Sequence, residues 1–148
     1  MRMTGRRVVI SGAASGIGLA TARVLRREGA AVALIDRDQS ALDAALSGLT
    51  SDSDLSTDTL PTPLVGMQAD IRDRQRLDEV LAQAAQAMGG IDGLVGSAGI
   101  DCLTPFDNMT SGQWQEVMDV NLTGPFYFSQ AALPFLRAAG GGTIVHIA

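Results

Sequence analysis

Short apolar runs alternate along this chain with longer stretches whose apolar residues recur at helical spacing. Residues 7–11, 31–35, 64–69, 91–96 and 143–147 are mostly apolar with no in-out alternation, the pattern of strands buried on both faces of a parallel sheet. Between them, Ile17, Ala20, Val24 and Leu25 form a stripe predicted to face the sheet, with Ala20 allowing close approach and Gly29 ending the helix. Ser40 is placed to cap a second helix carrying Leu42, Ala45, Leu46 and Leu49. Residues 47–63 are crowded with Ser, Thr, Asp and Pro and read as a polar flexible loop. Asp73 caps a third helix with Leu77, Val80, Leu81, Ala84 and Met88 on one face, closed by Gly89 and Gly90. From Thr110 or Ser111 a long helical stretch runs through Trp114, Val117, Met118, Leu122, Phe128, Phe135 and Leu136, with a kink expected at Gly124-Pro125.

Strand and helix thus alternate from end to end, which predicts a doubly wound α/β domain of Rossmann type with strand order 3-2-1-4-5. Its crevice would open between the first and fourth strands. The 148 residues suit a single domain over 1–148, and 46% apolar with 18% charged residues is the balance of a globular protein. A formal charge of -5 and no basic run argue against a nucleic-acid surface. Cys102 is the sole cysteine, so no internal disulfide or thiolate metal cluster is expected, and no metal site is predicted. Residues 1–7 have three arginines but lead only into a short apolar run and glycines. A cytoplasmic location without a membrane span is therefore expected.

The candidate chemistry begins at Ser11-Gly12-Ala13-Ala14-Ser15-Gly16-Ile17-Gly18, between the first strand and its helix. A phosphate needs backbone N–H donors, no Cβ in the way and the positive end of a helix dipole, and a glycine turn opening a helix supplies all three. The spacing G-x-x-x-G-x-G departs from G-x-G-x-x-G, so context must support it. Asp36 ends the second apolar run 18 residues after Gly18, near the distance at which a carboxylate reaches the adenosine ribose. There it accepts from ribose hydroxyls and repels a 2′-phosphate, favouring NAD over NADP. Asp70-Ile71 ends the third run, and Ser97-Ala98-Gly99, small enough for close approach, follows the fourth.

Together these features resemble the short-chain dehydrogenase/reductase family, along essentially the whole chain but only the first part of that family's usual domain. The glycine stretch is similar to T-G-x-x-x-G-x-G with Ser11 for threonine; Asp36 resembles the NAD-selecting acid and Asp70-Ile71 the adenine-contacting D-[VI] pair. The resemblance implies that Gly12, Ser15, Gly16, Ile17 and Gly18 hold the pyrophosphate and nearby ribose. Gly96-Ser97-Ala98-Gly99 stands where the family has N-N-A-G, without either asparagine, leaving Ala98 and Gly99 as the implied contacts. Ser15 is not basic, which agrees with NAD, whereas Arg37 beside Asp36 is compatible with some use of NADP. Val120-Asn121-Leu122-Thr123-Gly124 is similar to the segment bearing the family's catalytic asparagine, whose main-chain carbonyl holds a relay water. The family's serine and its Tyr-x-x-x-Lys pair lie beyond residues 1–148.

Hydride transfer to or from a carbinol needs a proton exchanged at oxygen, and a tyrosine does this near neutral pH only beside a cation. All 11 basic residues are arginine, and Tyr127, the only tyrosine, is followed four residues later by Ala131. The resemblance therefore implies an oxidoreductase acting on alcohols or ketones, a homo-oligomer in the whole protein, and no turnover by these residues alone. Two alternatives stand beside it: a non-catalytic NAD-binding module, and a structural fragment completed by a partner chain. His146, the sole histidine, lies in the fifth apolar run and reads as a core residue. Cys102 reads as a loop thiol; Trp114, Phe126, Phe128 and Phe135 as helix packing; and Arg72, Arg74 and Arg76 as a solvated helix start.

Overall fold

The computed structural model describes residues 1–52 and 62–148. Five parallel strands, β1 (Arg7–Ser11), β2 (Ala31–Asp36), β3 (Leu64–Gln68), β4 (Gly93–Gly96) and β5 (Thr143–His146), form one sheet in the order β3-β2-β1-β4-β5. The helices are α1 (Gly16–Arg27), α2 (Gln39–Thr50), α3 (Arg74–Met88), α4 (Ser111–Met118) and α5 (Gly124–Ala138). The predicted Rossmann-type architecture is the observed one. Val9, Ala31, Ala33, Ile35 and Leu94 point to the face covered by α3 and α5, while Val8, Ile10, Val32 and Leu34 point to the face covered by α1 and α2. Alternate residues of each central strand thus enter two separate cores, which is why those strands have no polar face.

Several boundaries and faces differ from expectation, each for a local reason. α1 buries Gly18 and Ala22 and packs Leu19 and Leu25, while Ile17 and Val24 stay 60% and 55% exposed. A Cβ at Gly18 would strike the carbonyl oxygen of Gly12. That contact sets the rotation of the helix, so the inner stripe is 18, 22 and 25; of the predicted stripe Leu25 packs inward while Ile17, Ala20 and Val24 are turned outward. α2 is capped by Asp38, whose carboxylate accepts from the Ala41 N–H at 3.0 Å, and not by Ser40. It continues to Thr50, so residues 47–50 of the predicted 47–63 loop are helical; residues 53–61 lie outside the described residues. Arg26 on α1 donates to the Thr62 carbonyl and hydroxyl, fixing the approach to β3, and burial holds its guanidinium below the usual arginine range.

The long helical stretch is broken before the proline instead of at it. A π-helical turn over Asp119–Thr123 joins α4 to α5, with the Gly124 N–H donating to the Asp119 carbonyl, and Pro125 falls in the first turn of α5. A second proline, Pro134, lies inside α5. An interior proline costs a helix about 3 kcal/mol. Fully buried Phe128 and nearly buried Leu136 offset that cost, since each such side chain contributes about 1.5–3 kcal/mol. Trp114 and Phe126, read as packing residues, are 56% and 58% exposed, and β5 is an exposed edge instead of a buried strand. His146 on that edge bonds through Nε2 to the Ser129 hydroxyl at 2.9 Å, its ring lying over Gly96.

Asp92, 9% exposed just before β4, is the anchor of the opposite end of the sheet. Its carboxylate accepts from the Arg7 N–H at 3.1 Å and from Arg7 Nε at 2.8 Å, while the same guanidinium donates to the Gly89 carbonyl. Replacing it by alanine leaves those donors unmatched, which costs far more than an exposed pair would. Asp92→Ala is expected to lower stability by about 2–3 kcal/mol in urea unfolding, and an unchanged midpoint would show that Arg7 finds water instead.

Candidate active site

The carboxyl ends of the strands enclose a cavity of about 340 Å³ at the switch between β1 and β4. Gly12, Ser15, Gly16 and Ile17 form its centre, Asp36, Arg37, Asp70 and Ile71 one end, and Ala98 and Gly99 the other. Gly18 and Asn121 do not line it; they stand behind the wall and hold it. Ser11, Ile35, Ala69, Ser97, Ile100, Val120 and Ile147 complete the lining, and several of these carried no site expectation from the residues alone. Their common signal is position, since each lies in or beside the segments leaving the strand ends or in the π-helical turn.

The glycine turn leaves β1 at Ser11, whose carbonyl accepts from the Ser97 N–H at 3.2 Å. Gly12 has φ 63°, and a Cβ there would lie 2.7 Å from the Ala98 main chain. No side chain fits between the two loops, so only glycine serves. Gly16 has φ 52° with open space where a Cβ would be, so its requirement is conformational. Asp36 braces the turn from β2: its Oδ2 accepts from the Ala14 N–H at 3.0 Å and its Oδ1 from the Asp38 N–H at 3.2 Å. The Ala13 N–H donates to the Ile35 carbonyl at 3.2 Å.

α1 differs from α2, α3 and α4 at its start, and α5, which continues from the π-helical turn, is likewise without a side-chain cap. Asp38, Asp73 and Thr110 each cap α2, α3 and α4 with a side-chain oxygen, whereas Ser15, the N-cap of α1, makes no side-chain cap bond. The first N–H groups of α1 therefore face the cavity without a side-chain acceptor, at the positive end of the helix dipole. A phosphate-bearing ligand fits that cradle.

At one end, Asp70 turns back on the chain that follows it. Its Oδ1 accepts from the Arg72 N–H and Nε at 2.9 Å each, and its Oδ2 from Arg72 Nη2 at 2.6 Å. This arginine holds the Asp70 carboxyl below the usual carboxylate range, with burial opposing. Arg74 pairs with Asp78 and Arg76 with Glu79, as expected of a solvated helix start. Beyond Asp70, Ile71 packs on α5 so closely that a Cβ at Gly124 would lie 2.7 Å from Ile71 Cγ2. That contact links the cavity wall to the π-helical turn.

Asn121 sits in that turn. Its Oδ1 accepts from the Ile100 N–H at 2.9 Å and its Nδ2 donates to the Ile100 carbonyl at 2.8 Å. The side chain is thus spent on holding the loop after β4. Its main-chain carbonyl would in a regular α-helix accept from residue 125, but Pro125 has no N–H. The Asn121-to-Pro125 spacing carried this information in the sequence. Tyr127 is partly buried against the α3–α5 core, its ring 5.7 Å from Phe126.

A parallel sheet of this order with a glycine turn and a cavity at its switch point is the architecture of a nucleotide-binding α/β domain. The model of the short chain dehydrogenase family matches residues 6–148, and the chain belongs to that family. An uncharacterized oxidoreductase of Staphylococcus aureus (strain USA300) is 33% identical over 146 residues, covering 99% of this chain and 59% of the relative. The oxidoreductase asL5 of Sarocladium schorii is 33% identical over 144 residues, covering 97% and 53%. The crystal structure of levodione reductase superposes with a TM-score of 0.87 at 29% identity, covering 98% of this chain and 54% of that one. The chain therefore spans little more than half the length of these relatives. Membership implies a nicotinamide dinucleotide, NAD or NADP. Among the described residues no helix is long and apolar enough to cross a membrane.

The Asn121 brace can be tested by itself. Asn121→Ala removes two hydrogen bonds of about 1 kcal/mol each, so the Ile100 amide should exchange roughly ten- to thirtyfold faster with deuterium while the β1 and β2 amides keep their protection. Unchanged exchange at Ile100 would show that the loop is held by its own backbone.

Proposed function

We propose that this chain carries the NAD-binding part of a dehydrogenase or reductase that interconverts a secondary alcohol and a ketone. The observation that supports it most is the start of α1, uncapped by any side chain and opening on the cavity beneath Gly12 and Gly16. The pyrophosphate would take the N–H groups of Gly12, Ser15, Gly16 and Ile17. Asp36 would accept from the adenosine ribose hydroxyls with the lone pairs that Ala14 and Asp38 leave free, and its charge would oppose a 2′-phosphate. Arg37 in the same wall tempers that opposition, so NAD is preferred and NADP tolerated.

Asp70 and Ile71 would flank the adenine, and Ala98 and Gly99 would back the nicotinamide half of the cofactor. NAD bound there supplies the hydride acceptor. Asn121 would offer its main-chain carbonyl, which has no N–H donor at residue 125, to a water in the path of the substrate proton. The residues that exchange that proton are not among these 148, which contain no lysine, so turnover is proposed for the whole protein. Exposed Trp114, Leu122 and Phe126 are consistent with a homo-oligomer, and the single cysteine with a cytoplasmic setting.

Thermal melts test the cofactor assignment. NAD at about a hundredfold over its Kd should add about 2.7 kcal/mol of stability, and NADP less. Asp36→Ala should remove most of NAD's advantage. No shift with either dinucleotide, in the unaltered chain and the variant alike, would sink the proposal.

A further inference from the structure

Asp70 is the cavity residue most heavily engaged by a neighbour outside the lining. A carboxylate has about four acceptor sites. Arg72 fills three of them, two on Oδ1 through its N–H and Nε and one on Oδ2 through Nη2. The guanidinium meets the carboxylate with two parallel donors, a planar fork that fixes the rotation of the acid and not merely its charge. Asp70 lines the cavity and Arg72 does not. What a ligand meets is therefore a carboxylate of set orientation with one remaining acceptor site, on Oδ2.

We propose that Arg72 is a positioning residue for base selection: by locking Asp70 it leaves a single acceptor that rewards a 6-aminopurine dinucleotide and rejects a 6-oxopurine one. An amino group donates to the remaining Oδ2 site, whereas a carbonyl at the same ring position brings a second acceptor against an ionised acid that has no proton to give. Without the fork the carboxylate can turn toward solvent, and both penalty and reward fade. A lysine would keep the charge but not the orientation. This inference rests on the reading of Asp70 as the residue beside the base.

The test compares NAD with its hypoxanthine counterpart by titration calorimetry on the 148-residue chain. The unaltered chain should bind NAD about tenfold more tightly, the scale of one hydrogen bond to a charged group. Arg72→Gln and Arg72→Lys should each lose most of that preference by weakening NAD binding, with the hypoxanthine dinucleotide changed less than about threefold. Asp70→Ala should lose it as well. If Asp70→Ala loses the preference while either Arg72 variant keeps it, the role of Arg72 is overturned and that of Asp70 stands. If Asp70→Ala keeps it, the reading of Asp70 is wrong and the inference falls with it. Failure of the unaltered chain to bind either dinucleotide overturns both. Should the variants not fold, the Arg72 Nε–H resonance of the unaltered chain decides: it should move on adding NAD and not with the hypoxanthine form, and the same response to both overturns the proposal.

Discussion

Three pieces of backbone meet at Gly12 with no side chain between them. Its carbonyl oxygen lies against Gly18 at the start of α1, and its Cα faces the main chain of Ala98 after β4. The first contact sets the rotation of α1 on the sheet; the second sets the width of the crevice between β1 and β4. Packed interiors do not deform continuously, so a methyl group at either position must displace an entire loop or helix. The glycines at 12 and 18 are therefore structural conditions for the site before they are contacts to any ligand. Gly16, with empty space around it, belongs to the ligand side of the turn.

That distinction explains what could be read from the residues alone. Strand order, parallel pairing and the place of the crevice follow from apolar runs without alternation and from right-handed crossovers, both of which are local or topological rules. The facing of α1 was not accessible in that way. Hydrophobicity favours the stripe of Ile17, Ala20, Val24 and Leu25, of which Leu25 packs inward, but the buried residues of α1 are a glycine and an alanine, Gly18 and Ala22. Small residues contribute little to a hydrophobic pattern, yet they determine how near two elements come. The end of α2 was misjudged for a related reason: Ser47 and Thr50 look like loop residues, but Thr50 Oγ1 bonds back to the Leu46 carbonyl and stays helical.

The family shows in the order and spacing of the site residues, and their partners show only in the structure. Asp36, Asp70 and Asn121 stand at distances along the chain that a βαβ rhythm makes meaningful. Their hydrogen bonds to Ala14, Arg72 and Ile100 are made by turns whose geometry no periodicity reports. The π-helical turn is intermediate. Pro125 announces that a helical bond to Asn121 is lost, but whether the chain answers with a kink or a wider turn depends on Gly124 seating against Ile71.

These partners reveal a division of labour. Side chains in this site hold backbone: Asp36 holds Ala14, Asn121 holds Ile100, and Arg72 holds the turn at Asp70. The groups left facing the cavity at its centre are backbone N–H donors at the uncapped start of α1. A charged or amide brace of this kind confers rigidity on backbone donors that cannot themselves be mutated away. It follows that Ser15, Ile17 and Ser97, whose side chains brace nothing among the described hydrogen bonds, can vary with little loss of the cradle, while Asn121, outside the lining altogether, cannot.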